Sequence, residues 1–176
     1  QLDRYYSRFE TLREINCTVL SSVFDDDFFV KIKQLREESA DKDRKGWIVL
    51  GSGSWIKGSS QAEEWCVSNN LEYEKIWGLS YLETLEKLST AEGFVYLPMG
   101  GDTCPRMVIE AKLLGCKLHL NDFVEHSNEL WFNTEDSFDT EAYLYAARER
   151  FWSSISASIN YNPTISGYTT TKNCID

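Results

Sequence analysis

Apolar positions along this chain follow two alternating patterns. Short unbroken runs occur at 47–50 (Trp-Ile-Val-Leu) and 94–97 (Phe-Val-Tyr-Leu), with a related run at 116–120 (Cys-Lys-Leu-His-Leu). Runs of this length, bounded by turn residues, predict strands buried on both faces, as in a parallel sheet. A more polar run over 71–78, ending Lys75-Ile76-Trp77-Gly78, predicts another strand. Between the runs the spacing becomes helical. Helices are predicted around 61–67, over 82–88 and from Pro105 onward, where Met107, Ala111 and Leu114 recur at i, i+4 and i+7. Pro105 suits a first helical turn and Gly115 a stop. Strand and helix alternate from 47 to 120. The fold class is therefore α/β: a Rossmann-like, mainly parallel sheet with flanking helices.

The flanks are mostly helical by the same reading. Over 1–15, Leu2, Tyr5, Tyr6, Phe9, Leu12 and Ile15 share one helix face, and a short strand is predicted over 17–20. Asp25-Asp26-Asp27 precedes an amphipathic helix through Phe28, Ile32 and Leu35, so the triplet reads as a cap rather than a metal-binding D-x-D. The charged stretch 31–45 reads as a solvated connection. One long helix is predicted over 139–159, with Leu144, Ala147, Phe151, Ile155 and Ile159 inward, and a loose tail from Tyr161. The 176 residues suit a single domain: a central region over 45–135, an N-terminal flank over 1–44, and a C-terminal helix and tail over 139–176.

Two glycine loops between strand and helix carry the candidate chemistry. The first is Gly51-Ser52-Gly53-Ser54-Trp55-Ile56-Lys57-Gly58; the second is Met99-Gly100-Gly101-Asp102-Thr103. Such loops allow close backbone approach, and a helix N-terminus presents free N–H groups that favour a phosphate. Lys57 adds a point charge. Asp102 precedes the helix and Glu110 follows eight positions later, roughly 10 Å away between Cα atoms. Two acceptor-only carboxylates flanking an anion site suit a ligand with hydroxyls at both ends and phosphates between them, the shape of a nucleotide sugar. Each piece also has an ordinary structural reading. Asp102 or Thr103 could cap the helix, Glu110 could pair with Arg106, and Lys57 could be an exposed loop lysine.

The second loop and its helix resemble the E-x7-E segment of retaining GT-B glycosyltransferases of the family 4, or group 1, type. That family writes E-G-F-G-x-x-x-x-E-A-x-A-x-G where this chain has D-T-C-P-R-M-V-I-E-A-K-L-L-G. Glu110, Ala111 and Gly115 match; Asp102 replaces the first Glu, and Thr103-Cys104-Pro105 replaces G-F-G. Upstream, the family's G-R-x-x-x-x-K-G is in register with Gly51, Lys57 and Gly58, with Ser52 at the Arg position. The resemblance spans 45–135. It implies the C-terminal, donor-binding half of a GT-B fold, with the acceptor held by an absent N-terminal half and no cofactor or metal required. Implied roles are catalytic for Asp102 and Lys57. Donor contacts are implied for Gly51, Ser52, Gly53, Gly58, Gly101, Thr103, Arg106, Met107 and Glu110. Residues 77–80 become neighbours of the nucleotide base, with Trp77 itself expected in the core.

Composition limits the alternatives. A net charge of −10 leaves no basic stripe for nucleic acid. No apolar run approaches the length of a membrane span. The five cysteines lack C-x2-C spacing and read as free thiols in a reducing, cytoplasmic setting. His119 and His126 lack ligand spacing and read as structural or surface residues. Gln1 at the start points to a segment of a longer protein. Two other readings stay open: a degenerate GT-B domain acting as a binding or scaffold module, and a different Rossmann-like enzyme such as a sugar-nucleotide epimerase.

Overall fold

The computed structural model describes residues 2–14, 20–134 and 136–160. Four strands form its centre: β1 (Trp47–Leu50), β2 (Tyr73–Ile76), β3 (Gly93–Tyr96) and β4 (Lys117–Leu120). They pair in the order β2-β1-β3-β4, all parallel. Ile48 is in register with Phe94 and Val49 with Val95. The α/β expectation is met, and the apolar runs lie within a residue or two of the observed strands.

Three helices make the crossovers: α3 (Ser59–Ser68), α4 (Tyr81–Thr90) and α5 (Arg106–Leu113). Alternate strand residues face opposite sides. Trp47, Val49 and Val95 pack with Ala62 and Cys66 of α3 on one side. Ile48, Phe94 and Tyr96 pack with α4, α5 and α2 (Asp26–Ser39) on the other. The chain steps outward from β1 to β2 through α3, then back past β1 to β3 and β4 through α4 and α5. Reversing direction while changing face keeps one crossover hand. The reversal lies between β1 and β3, the place at whose carboxyl ends sheets of this kind hold ligands.

Asp25 caps α2, its Oδ1 accepting from the Phe28 N–H at 2.8 Å. Phe28, Ile32 and Leu35 are buried as predicted. The helix continues to Ser39, so much of the predicted connection over 31–45 is instead its charged outer face. In α5 the apolar stripe is wider than predicted: Val108, Ile109, Ala111 and Leu113 are all buried, and Met107 only half-buried. The helix lies between α4 and a later helix, α6 (Ser137–Tyr145), so both flanks are covered.

Both predicted long terminal helices are broken. The first is α1 (Leu2–Arg8) followed by a 3-10 turn over Glu10–Glu14. Tyr5 and Phe9 stay exposed, and a helix of this length is marginal on its own. Ile15 and most of the strand predicted over 17–20 lie outside the described residues, as does the tail from Tyr161; Leu20 is exposed and irregular. The second divides at Ala146 into α6 and α7 (Ala147–Asn160). Neither proline nor glycine marks the break. After it, Arg150 stacks on Tyr143 at 3.6 Å and donates to Ser21 Oγ at 3.2 Å, while Arg148 approaches Asp26 at 3.8 Å. Leu144 and Ala147 remain buried; Phe151 and Ile155 are half-buried. Among the described residues no helix is long and apolar enough to cross a membrane.

Candidate functional site

The loop after β1 is drawn tightly over the sheet end. Gly51 donates its N–H to the Ile76 carbonyl at 2.8 Å, and a Cβ on Gly51 would lie 2.8 Å from both that oxygen and the Trp77 ring. The chain then makes a 3-10 turn over Trp55–Lys57 and enters α3 through Gly58, whose φ is +66°. A Cβ on Gly58 would sit 1.7 Å from the Leu97 carbonyl oxygen. Only glycine lets the start of α3 lie against the end of β3 in this way. The Met99 N–H donates to the Ile56 carbonyl at 2.8 Å, joining the first glycine loop to the second.

This junction brings Lys57 to Asp102. The Lys57 Nζ lies 2.8 Å from Asp102 Oδ2, and the Tyr96 hydroxyl donates to the same oxygen at 2.6 Å. The Asp102 backbone is pinned on both sides: its N–H donates to the Phe123 carbonyl at 2.8 Å, and its carbonyl accepts from Glu125 at 3.0 Å. Burial alone would push the Asp102 carboxyl up. Hydrogen bonds from Lys57 and Tyr96, with the Lys57 charge, outweigh it and hold the group below its ordinary range. Ile56, Lys57, Pro98, Gly100, Gly101, Asp102 and Thr103 line a cleft of about 180 Å³.

Glu110 lies in the second turn of α5 and is 4% exposed. The Tyr81 hydroxyl, from the first turn of α4, donates to its Oε1 at 3.1 Å. Burial raises the Glu110 carboxyl above its usual range, while the Tyr81 hydrogen bond and the Arg106 charge act against that rise. Arg106 opens α5, its guanidinium 4.4 Å from the ring centroid of buried Phe24. Beside this group, Leu50, Gly51, Ile76, Trp77, Gly78, Leu79, Thr84 and Met107 line a smaller cleft of about 120 Å³.

Pro105, expected in the first turn of α5, occupies the N-cap position instead and has no side-chain group to cap it with. The N-cap residue is therefore neither Asp102 nor Thr103. The Val108 N–H donates to the Pro105 carbonyl at 3.0 Å, and the helix terminus lies with Asp102 before it and Glu110 behind.

The remaining predicted residues divide. Gly101 and Thr103 line the cleft with Lys57 and Asp102, whereas Gly51 and Met107 line the smaller one. Ser52 is turned into its own loop, its Oγ accepting from the Ser54 N–H at 3.1 Å. Gly53 lies under the Trp77 ring. Arg106 is directed to Phe24 and Tyr81 rather than into the Lys57 cleft. Trp77, expected in the core, is 60% exposed. The strand ends at Ile76, so the next side chain leaves the sheet and covers Gly51 and Gly53.

Sequence reasoning missed Tyr81 and Tyr96 as partners of the two carboxylates; contacts across 29 and 6 positions follow no local spacing rule. It also missed the depth of His126, which is 2% exposed between Trp131 and Phe132. Burial pushes this imidazole down to about 4, against opposing pulls from the Thr103 backbone, Asp102 and Glu129. Neither ring nitrogen meets the geometry of a full hydrogen bond, so the Thr103 contact is weak.

A wider groove of about 710 Å³ follows the outer edge of β4, lined by residues including Lys112, His119, Asn128 and Asn133. Lys112 is committed to the Thr134 carbonyl at 3.0 Å, and neither Asp102 nor Glu110 reaches the groove. The paired chemistry is at the β1 and β3 ends, not there. Among the described residues no group of three or more His, Cys, Asp or Glu side chains converges as a metal site. Comparison with protein-family models, curated proteins and solved structures finds no match to this chain.

Proposed function

We propose that this domain binds a nucleotide-diphosphate sugar and is the donor half of a glycosyltransferase of the GT-B, family 4 type. The observation that carries the reading is the N-terminus of α5 at the β1 and β3 ends, flanked by Asp102 paired with Lys57 and by buried Glu110. Glu110 accepts the ribose hydroxyls, and the base lies in the smaller cleft under Trp77. The diphosphate rests on the α5 amides near Lys57, with Asp102 toward the transferred sugar. Transfer breaks the bond between sugar and diphosphate, and Lys57 and the helix amides stabilise the charge on the leaving group. The acceptor is held by a second half outside these 176 residues. Alone, this chain binds donor with negligible transfer. Three free cysteines among the described residues fit a reducing, cytoplasmic setting.

Two observations favour a rival. Ser52 supplies no charge, and Lys57 is already neutralised by Asp102. A scaffold that has lost donor chemistry would look the same. A thermal-shift panel with UDP, GDP, ADP and their sugars separates the two. Donor binding predicts selective stabilisation by one diphosphate, about 2.7 kcal/mol at a hundred times Kd, lost in Glu110→Ala and Lys57→Ala. No shift with any of them would favour the scaffold.

A further inference from the structure

We infer that Tyr81 and Arg106 are positioning residues that hold Glu110 turned as the acceptor for a vicinal diol. The inference rests on the donor-binding reading for its ligand but not for its geometry.

A carboxylate 4% exposed on a core helix has a problem that an exposed one lacks. Burial favours its neutral form, and a protonated carboxyl is a poor acceptor for two hydroxyls. Two groups facing Glu110 oppose this. From α4, the Tyr81 hydroxyl donates to Oε1 at 3.1 Å. From one turn earlier on α5, Arg106 contributes its charge. Among the described residues, these are the two side chains whose charge or hydrogen bond favours the ionised carboxyl.

The pair is built rather than accidental. Tyr81 is the first residue of α4, and its place is set by Ser80. The Ser80 Oγ accepts from Glu83 N–H at 3.3 Å, and Glu83 Oε2 accepts from Ser80 N–H at 2.8 Å. This capping box fixes where α4 begins and so where the phenol points. Arg106 lies over Phe24, a ring 4% exposed, and acts on the Tyr81 hydroxyl as well as on Glu110. Phe24 thus ties the N-terminal flank to the site. The Tyr81 bond holds the carboxylate by Oε1.

The test has two arms. In the empty protein, the Glu110 carboxyl carbon is titrated by NMR with selectively labelled glutamate. Tyr81→Phe removes a hydrogen bond that favours the charged form, so the midpoint rises, by about one pH unit for a bond to a charged group. Arg106→Gln raises it as well. An unchanged midpoint in both variants overturns the inference whatever the ligand. In the second arm, dissociation constants for the diphosphate selected by the panel are measured from pH 5 to 8. Wild-type affinity falls as Glu110 takes up its proton, and Tyr81→Phe moves that fall to higher pH with near wild-type affinity at the alkaline end. A uniform loss at all pH values would make Tyr81 merely structural and overturn the inference. A shifted midpoint in the first arm with no nucleotide bound in the second would retain the electrostatic role and overturn the diol acceptor. That outcome counts against the donor-binding reading.

Discussion

Gly58 and Gly78 offer a matched pair that tests how the two glycine loops are held together. Both have nearly the same left-handed backbone, with φ of +66° and +67°. They differ in surroundings. A Cβ on Gly58 would fall 1.7 Å from the Leu97 carbonyl oxygen, whereas one on Gly78 meets nothing within 4 Å. In Gly78→Ala only the backbone strain of a left-handed alanine is introduced, about 1–2 kcal/mol. Gly58→Ala adds a collision with main chain, which cannot rotate away as a side chain could. Overpacking of this kind costs roughly 1–3 kcal/mol more. The benefit of alanine in the unfolded chain is the same for both and cancels in the comparison. Urea unfolding followed by circular dichroism should therefore place Gly58→Ala below Gly78→Ala by roughly 1–3 kcal/mol. Relief of the clash would also move Leu97 and Pro98 away from the Lys57 loop, so nucleotide binding should be lost in Gly58→Ala. Equal stabilities, within about 0.5 kcal/mol, would refute the stated packing of α3 against β3.

Two further predictions follow from the titrating groups. His126 is folded neutral with its imidazole at about 4, so the folded state binds fewer protons than the unfolded one below pH 6.5. Its stabilisation is complete above that value and falls as pH drops toward 4, by roughly 3 kcal/mol in all. His126→Phe, packed between Trp131 and Phe132, should flatten that part of the stability–pH curve; an unchanged curve would show the ring to be accessible. Asp102 behaves as an acid held below its ordinary range, so its contribution is present at neutral pH and is lost as pH falls through its folded value. Lys57→Met should bring that loss to higher pH. Because Lys57 is 40% exposed, the stability cost at pH 7 should stay below about 1 kcal/mol. An Asp102 titration that does not move would rule out the ion pair in solution.

The framework of this site was legible from local patterns. Three apolar runs and one more polar run mark the sheet, Asp25 marks the start of α2, and Gly115, with φ of +83°, marks the end of α5. The glycine loops pointed to the right end of the sheet because a parallel strand must be followed by a turn at its carboxyl end. Partners across the fold were not legible. Nothing near Glu110 announces Tyr81, and nothing near Asp102 announces that Lys57 will neutralise it. The break at Ala146 carries no proline or glycine, and the contacts beside it, Arg148 with Asp26 and Arg150 with Ser21, reach a distant segment. Trp77 was misplaced by one residue of strand length, which decides whether a side chain lies under a helix or beyond the sheet. His126 lacked any spacing signal because its environment is built from Trp131, Phe132 and the Asp102 loop.

The most direct test of the account is amide mapping by ¹⁵N-edited NMR with the stabilising nucleoside diphosphate. The account predicts shifts concentrated at Gly53, Gly58, Thr103, Arg106 and Met107, the loops and helix terminus at the β1 and β3 ends. Shifts centred instead on Ser127, Asn128 and Asn133 would place the ligand in the groove along β4 and contradict it.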